Sequence, residues 1–164
     1  MKTLNDYIII YKEQLEKEDI QKAYIGLLKY VMELNTHFTK TVSDKFSVGN
    51  ISPGYMDFTY FPFFNEYLRN EKLRFGIILN HKKLRFELWL MGQNQTIQNR
   101  YWNLLRTSKW NKDLITKPKY SFLEVILIEN PDFNDLNSLT KNLEDKTISL
   151  SQEIIEYIKQ ANQH

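Results

Sequence analysis

Apolar positions recur at helical spacing near both ends of the chain and at every second residue in its middle. Leu4, Tyr7, Ile8, Tyr11 and Leu15 predict an amphipathic helix over Leu4–Lys17. Asp19 offers an N-cap for a second helix, with Ile20, Ala23, Tyr24, Leu27, Val31, Leu34 and Phe38 as its buried stripe to Thr41. The short Glu18-Asp19 joint predicts that the two helices pack as neighbours, and Gly26 suggests a close backbone approach. Periodicity stops from Val42 to Pro53. Gly54–Phe61, dense in aromatic and β-branched residues, predicts a first strand that Pro62 ends, followed by a short helix or turn over Phe63–Asn70.

The stretch Lys72–Gly92 predicts a β-hairpin, with strands near Leu73–Asn80 and Leu84–Met91. Leu73, Phe75, Ile77 and Leu79 form one apolar row, and Leu84, Phe86, Leu88 and Leu90 form another. If the turn pairs Asn80 with Lys83, the two rows share a face, and that face is core. The opposite face is mixed, carrying Arg74, Gly76, Ile78 and Asn80 beside Arg85, Glu87, Trp89 and Met91. A helix capped by Asn94 or Thr96 runs to about Ser108, and an irregular basic connection follows, broken by Pro118. Phe122–Glu129 is apolar on both sides except for Glu124 and Glu129, which predicts a strand inside the sheet. From Asn134 or Asp135 a helical stripe of Leu136, Leu139, Leu143, Leu150, Ile154 and Ile158 follows, with a plausible break over Asp145–Ser149. The expected fold is α+β, one domain over residues 1–164, with a mostly antiparallel sheet of about four strands packed by N-terminal and C-terminal helices.

Composition narrows the chemistry. The 164 residues contain no cysteine, which excludes disulfides, thiolate nucleophiles and zinc–thiolate sites and fits a reducing cytoplasm. No apolar run reaches the length of a membrane span. The net charge of +2 is unevenly spread: residues 66–120 carry twelve Lys/Arg against four Asp/Glu, whereas residues 121–164 carry three against eight. Such a basic middle either binds a polyanion, nucleic acid included, or is neutralised by the acidic C-terminal segment folding back on it.

Phosphate-binding glycine motifs and a nucleophile elbow are absent, and the three histidines, His37, His81 and His164, form no close pair. His37 reads as a structural residue on a helix flank, and His81 as a solvated turn residue. Asp57 and Glu87 lie on predicted strands, as the metal-holding carboxylates of some nucleases do, but Glu87-Leu88-Trp89 puts a tryptophan where such sites need a lysine. No metal site or cofactor is therefore expected. The remaining candidate is a ligand- or partner-binding surface formed by Asp57, Arg74, Arg85, Glu87 and Trp89, where a guanidinium beside an indole suits a carboxylate, a phosphate or a base. Its structural counterpart is an internal ion pair of Glu87 with Arg74 or Arg85, roofed by Trp89 and a packing helix.

Three stretches carry a family resemblance: Gly54-Tyr55-Met56-Asp57-Phe58-Thr59-Tyr60-Phe61, Phe86-Glu87-Leu88-Trp89-Leu90-Met91-Gly92 and Tyr101-Trp102. Through them the chain resembles a group of small bacterial proteins classed as a domain of unknown function. The resemblance implies a bacterial cytoplasmic protein and transfers no mechanism. The functional expectation is a non-catalytic protein that binds on the mixed face of the 72–92 hairpin. The alternatives are a nucleic-acid-associated protein using the basic 66–120 segment and an enzyme with an Asp57/Glu87 carboxylate site.

Overall fold

The computed structural model describes residues 1–163. Five helices, α1 (Leu4–Glu16), α2 (Asp19–Thr41), α3 (Glu66–Asn70), α4 (Gln95–Leu105) and α5 (Leu136–Asn162), accompany five strands. The strands are β1 (Ser47–Val48), β2 (Phe58–Phe64), β3 (Leu73–Asn80), β4 (Arg85–Gly92) and β5 (Leu123–Ile128), so the fold is α+β with five strands rather than four. They form one antiparallel meander in chain order.

The hairpin supplies the centre of the sheet. Leu79 lies opposite Phe86 and Asn80 opposite Arg85, two residues from the expected pairing. A shift of two preserves parity, so Phe75, Ile77 and Leu79 share one face with Phe86, Leu88 and Leu90, all buried. Leu84 leaves the apolar row. It occupies the turn in a left-handed conformation (φ 44°) and is exposed. On the core face, Phe61 and Phe63 of β2 and Leu123 of β5 extend the apolar layer, and α2, α4 and α5 close it with Leu34, Phe38, Tyr101, Leu105, Leu143, Ile154 and Ile158. Tyr30 pairs with Thr140, and His37 Nε2 meets Glu144 Oε2 at 2.7 Å, so His37 joins α2 to α5.

Three expectations need correction. Pro62 does not end β2 but lies within it, opposite Gly76. Its carbonyl accepts from Gly49 N at 2.8 Å. The N and O of one antiparallel residue point the same way, so the missing N–H faces the short edge by β1 and the ladder to β3 stays complete. Second, β5 is an edge strand, not an inner one. Lys146 of α5 donates to the Leu127 carbonyl at 3.2 Å, which occupies part of that edge. Third, α1 does not bury its stripe: none of its residues is buried, and Leu4, Tyr7, Ile8 and Tyr11 are each more than half exposed. α5 runs unbroken through Asp145–Ser149, where Thr147 and Ser151, small enough to fit against the core, carry the buried stripe across. No described helix is long and apolar enough to cross a membrane.

Candidate functional site

The reverse of the sheet has no helical layer. Ile78, Trp89 and Met91, with Phe58 and Tyr60, form a second apolar cluster made of strand residues alone. Trp89 meets the Phe58 ring edge-on at 4.9 Å, and Tyr120 approaches Phe58 from the connection before β5, at 6.4 Å. The loop Ser52–Asp57 rises on one side and Tyr120 on the other. Between them lies a cleft of about 440 Å³, with Arg74, Ile78 and Met91 in its lining.

Glu87 is buried at 3% exposure and fully engaged within the protein. Its Oε2 accepts from Arg85 Nε at 2.8 Å and Asn80 Nδ2 at 2.9 Å, and its Oε1 accepts from Trp89 Nε1 at 2.9 Å. Arg85 also reaches Glu129 at 3.5 Å. The hydrogen bond to Glu87 raises the Arg85 pKa further, so the guanidinium stays charged. Glu87, Arg85, Asn80 and Trp89 thus form an internal network that aims the indole along the cleft wall. The ion pair uses Arg85 and not Arg74, and no helix roofs it.

Asp57 serves its own loop. Its Oδ1 accepts from the backbone N–H of Tyr55 at 2.8 Å and of Phe58 at 2.7 Å, bonds that hold its pKa below the usual carboxylate value. Gly54 enters this turn at φ 71°, where an added Cβ would stand 2.2 Å from the Phe58 carbonyl oxygen. Glu87 is thus committed to protein donors through both oxygens, whereas Asp57 spends Oδ1 on its own loop and stands exposed in the cleft lining. Among the described residues no group of three His, Asp or Glu is placed to hold a metal ion.

His81 is not a solvated turn residue but half-buried, with its Nε2 2.7 Å from Thr59 Oγ1. Thr59 Oγ1 donates to the Pro53 carbonyl at 2.7 Å, so its oxygen is left to accept from an Nε2–H tautomer of His81. His81 N donates to the Asp57 carbonyl, and Tyr24 of α2 packs on the ring at 5.7 Å. The hairpin turn is thereby tied to the loop that walls the cleft. Burial lowers the His81 pKa below its ordinary value of 6.5. A base with a depressed folded pKa contributes stability that is present above the unfolded value and lost as pH falls through the folded one. Protection of the 54–57 amides against hydrogen exchange is therefore expected to fall as pH drops below 6.5, and His81→Gln is expected to flatten that dependence.

Arg74, opposite Met91, is exposed and has no ion-pair partner among the described residues. It lines the aromatic cleft and also a second cavity of about 360 Å³ at the end of the sheet, with Phe64, Arg69, Lys72 and Gln93. Three cations face that cavity and no carboxylate does. Arg69 lies over the Phe64 ring at 4.9 Å, which holds its guanidinium in place. Elsewhere the basic middle is partly neutralised by the acidic C-terminal segment, through Lys109–Glu153 and Arg85–Glu129.

The match with known proteins follows the whole of this architecture. A family model described as a domain of unknown function (DUF7000) matches residues 4–158, from the start of α1 to the last buried turn of α5. The chain belongs to the DUF7000 family. No curated protein and no solved structure matches it. Of the five residues singled out in the sequence, Asp57, Arg74 and Trp89 line the cleft, while Arg85 and Glu87 stand behind Trp89 as support. Tyr60 and Phe58 share the parity that placed Trp89 on the mixed face once β2 is in register. Tyr55, Tyr120, Arg69 and Lys72 come from irregular chain or a short helix, where no period announces a direction.

Proposed function

We propose that this protein is a non-catalytic binding protein whose open sheet face takes a small ligand combining a flat ring and an anionic group. The ring packs against Trp89, Phe58 and Tyr120, and the anion is held by Arg74 with Arg69 and Lys72. The observation that carries this reading is that Arg74 borders both the aromatic cleft and the cation-lined cavity. An aromatic wall supplies apolar contact and stacking to any flat ring. A guanidinium without a carboxylate partner supplies charge-assisted hydrogen bonds to a phosphate or carboxylate. The enzyme reading loses support because Glu87, the second carboxylate of that pair, is buried with both oxygens occupied by protein donors. The chain's lack of cysteine supports a cytoplasmic setting.

Adenosine monophosphate is a suitable probe, with adenosine and inorganic phosphate as its two halves. Binding is expected to shift the Trp89 indole resonance with the monophosphate and only weakly with either half. Arg74→Ala is expected to weaken binding about tenfold, the loss of one charge-assisted contact, while leaving thermal stability unchanged because Arg74 is exposed. An indole resonance that ignores the monophosphate and aromatic carboxylates alike at millimolar concentration would sink the proposal.

A second reading is favoured by the same juxtaposition. The exposed rings of Tyr55 and Tyr120, with the half-buried Phe58 and Tyr60 between them and basic residues nearby, also suit single-stranded nucleic acid, bases stacking on the rings and phosphates meeting the cations. That reading requires binding that falls steeply with salt, and a blank oligonucleotide shift at low salt ends it.

A further inference from the structure

The N-terminal helix α1 is apolar and unpartnered. Tyr7, Ile8, Ile9, Ile10 and Tyr11 run consecutively, none buried, and α2 is exposed over residues 19–23 as well. With about 200 Å² for each fully exposed large side chain, Leu4 and these five residues leave roughly 700 Å² open to water. That is close to the ~800 Å² each partner contributes to a standard stable interface, and larger than the few hundred Å² a monomer usually exposes in one patch.

The same chain presents a groove of matching character. Ala23 and Leu27 of α2, Leu84 of the hairpin turn, and Phe133 and Leu136 before and at the start of α5 line an apolar hollow of about 520 Å³. Gly26 lies in its wall, and a Cβ built there meets nothing within 4 Å. The small Ala23 and Gly26, one turn apart, let another helix approach closely. The groove follows α2 from Lys22 to Glu33, about the 20 Å length of the 13-residue α1.

We propose that two copies of this chain form a symmetric dimer in which α1 of each copy lies in the α2 groove of the other. The chain's own α1 is held away from its own groove. Glu18 adopts φ 64°, and the joint is set by Lys17 N to the Gln14 carbonyl and Glu18 N to the Leu15 carbonyl, at 3.3 and 3.1 Å. One donor helix and one acceptor groove per chain close under a two-fold axis, which buries both surfaces and leaves no open end.

Light scattering on the full chain at micromolar concentration is expected to give twice the 19.8 kDa chain mass. Ile8→Glu disables the helix and Gly26→Glu fills the groove. Each is expected to raise the dimer dissociation constant at least about tenfold with the far-ultraviolet circular dichroism intact, since both positions are open to solvent in the protomer. Mixing the two variants restores one intact helix–groove pair, so a heterodimer is expected to form where neither variant dimerises alone. A monomeric parent chain, as intramolecular closure of α1 or a foreign partner would give, overturns the proposal. A Gly26→Glu dimer as tight as the parent overturns it too, because the helices would then be packing on each other outside the groove.

Discussion

Glu87→Ala is expected to cost about 3–5 kcal/mol of folding stability, the range for breaking a buried ion pair by deleting one partner. The carboxylate is 3% exposed and satisfies three donors, Arg85 Nε, Asn80 Nδ2 and Trp89 Nε1. Removing it leaves the indole N–H of buried Trp89 and the amide of buried Asn80 without their acceptor, and leaves the partly buried Arg85 with only the more distant Glu129. In a chain of this length each kcal/mol moves the melting temperature by roughly 2–4 °C, so a drop on the order of 10 °C is expected in a thermal melt. Glu87→Gln should recover part of the loss, since its amide oxygen still accepts while its NH₂ confronts a donor. The double variant Arg85→Ala/Glu87→Ala should be less destabilised than the sum of the single variants, because neither charge is then buried alone. Strict additivity would show that the two residues act independently. The cleft responds as well. Trp89 loses the bond that orients its ring, so Glu87→Ala should weaken ring binding even though Glu87 touches no ligand.

The hairpin was readable because two rows of alternating apolar residues constrain parity more strongly than they constrain register. Moving the partner by two residues changed which side chains are neighbours, Leu79 with Phe86 rather than Leu84, without turning any side chain to the other face. That is why Trp89, Arg74 and Glu87 were placed on the correct side. What the period could not report was whether a layer covers that side. An alternation of Arg74, Gly76, Ile78 and Asn80 reads the same under a helix as above an open cleft. Pro62 misled because proline's rule concerns which edge its nitrogen faces, and that depends on the neighbouring strand. Phe122–Glu129 misled because a strand packed beneath α5 and bulged against β4 is apolar for tertiary reasons, not because it has neighbours on both edges. The α1 stripe was legible as a helix, yet what it packs against is not encoded in its spacing. Tyr120 and His81 belong to irregular chain, and only the folded loops bring Tyr120 to the cleft and His81 to the loop that walls it.

Gly92→Val is expected to destabilise the fold by about 2–3 kcal/mol, through crowding in a packed site rather than loss of a contact. Gly92 ends β4 beneath the first turn of α4, where a Cβ would stand 2.8 Å from Ile97 Cγ2 and 2.9 Å from the Gln98 backbone nitrogen. The second of these is main chain and cannot rotate away. α4 must then lift as a unit, and with it Tyr101, Trp102 and Leu105, all buried in the core. The displacement reaches the cleft by a defined route. Gln98 Oε1 accepts from Gly92 N at 3.1 Å, and its Nε2 donates to the Tyr120 carbonyl at 3.0 Å. Gln98 therefore fastens the end of β4 to the residue that closes one side of the aromatic cleft. Urea unfolding should show the lowered stability of Gly92→Val, and Gly92→Ala should show a smaller loss of the same origin. Gln98→Ala tests the connection separately. It removes both hydrogen bonds without adding bulk, so it should loosen Tyr120 and weaken ring binding while α4 stays seated. If Gln98→Ala leaves both the Tyr120 amide protection and ligand affinity unchanged, the cleft wall is held by something other than this link.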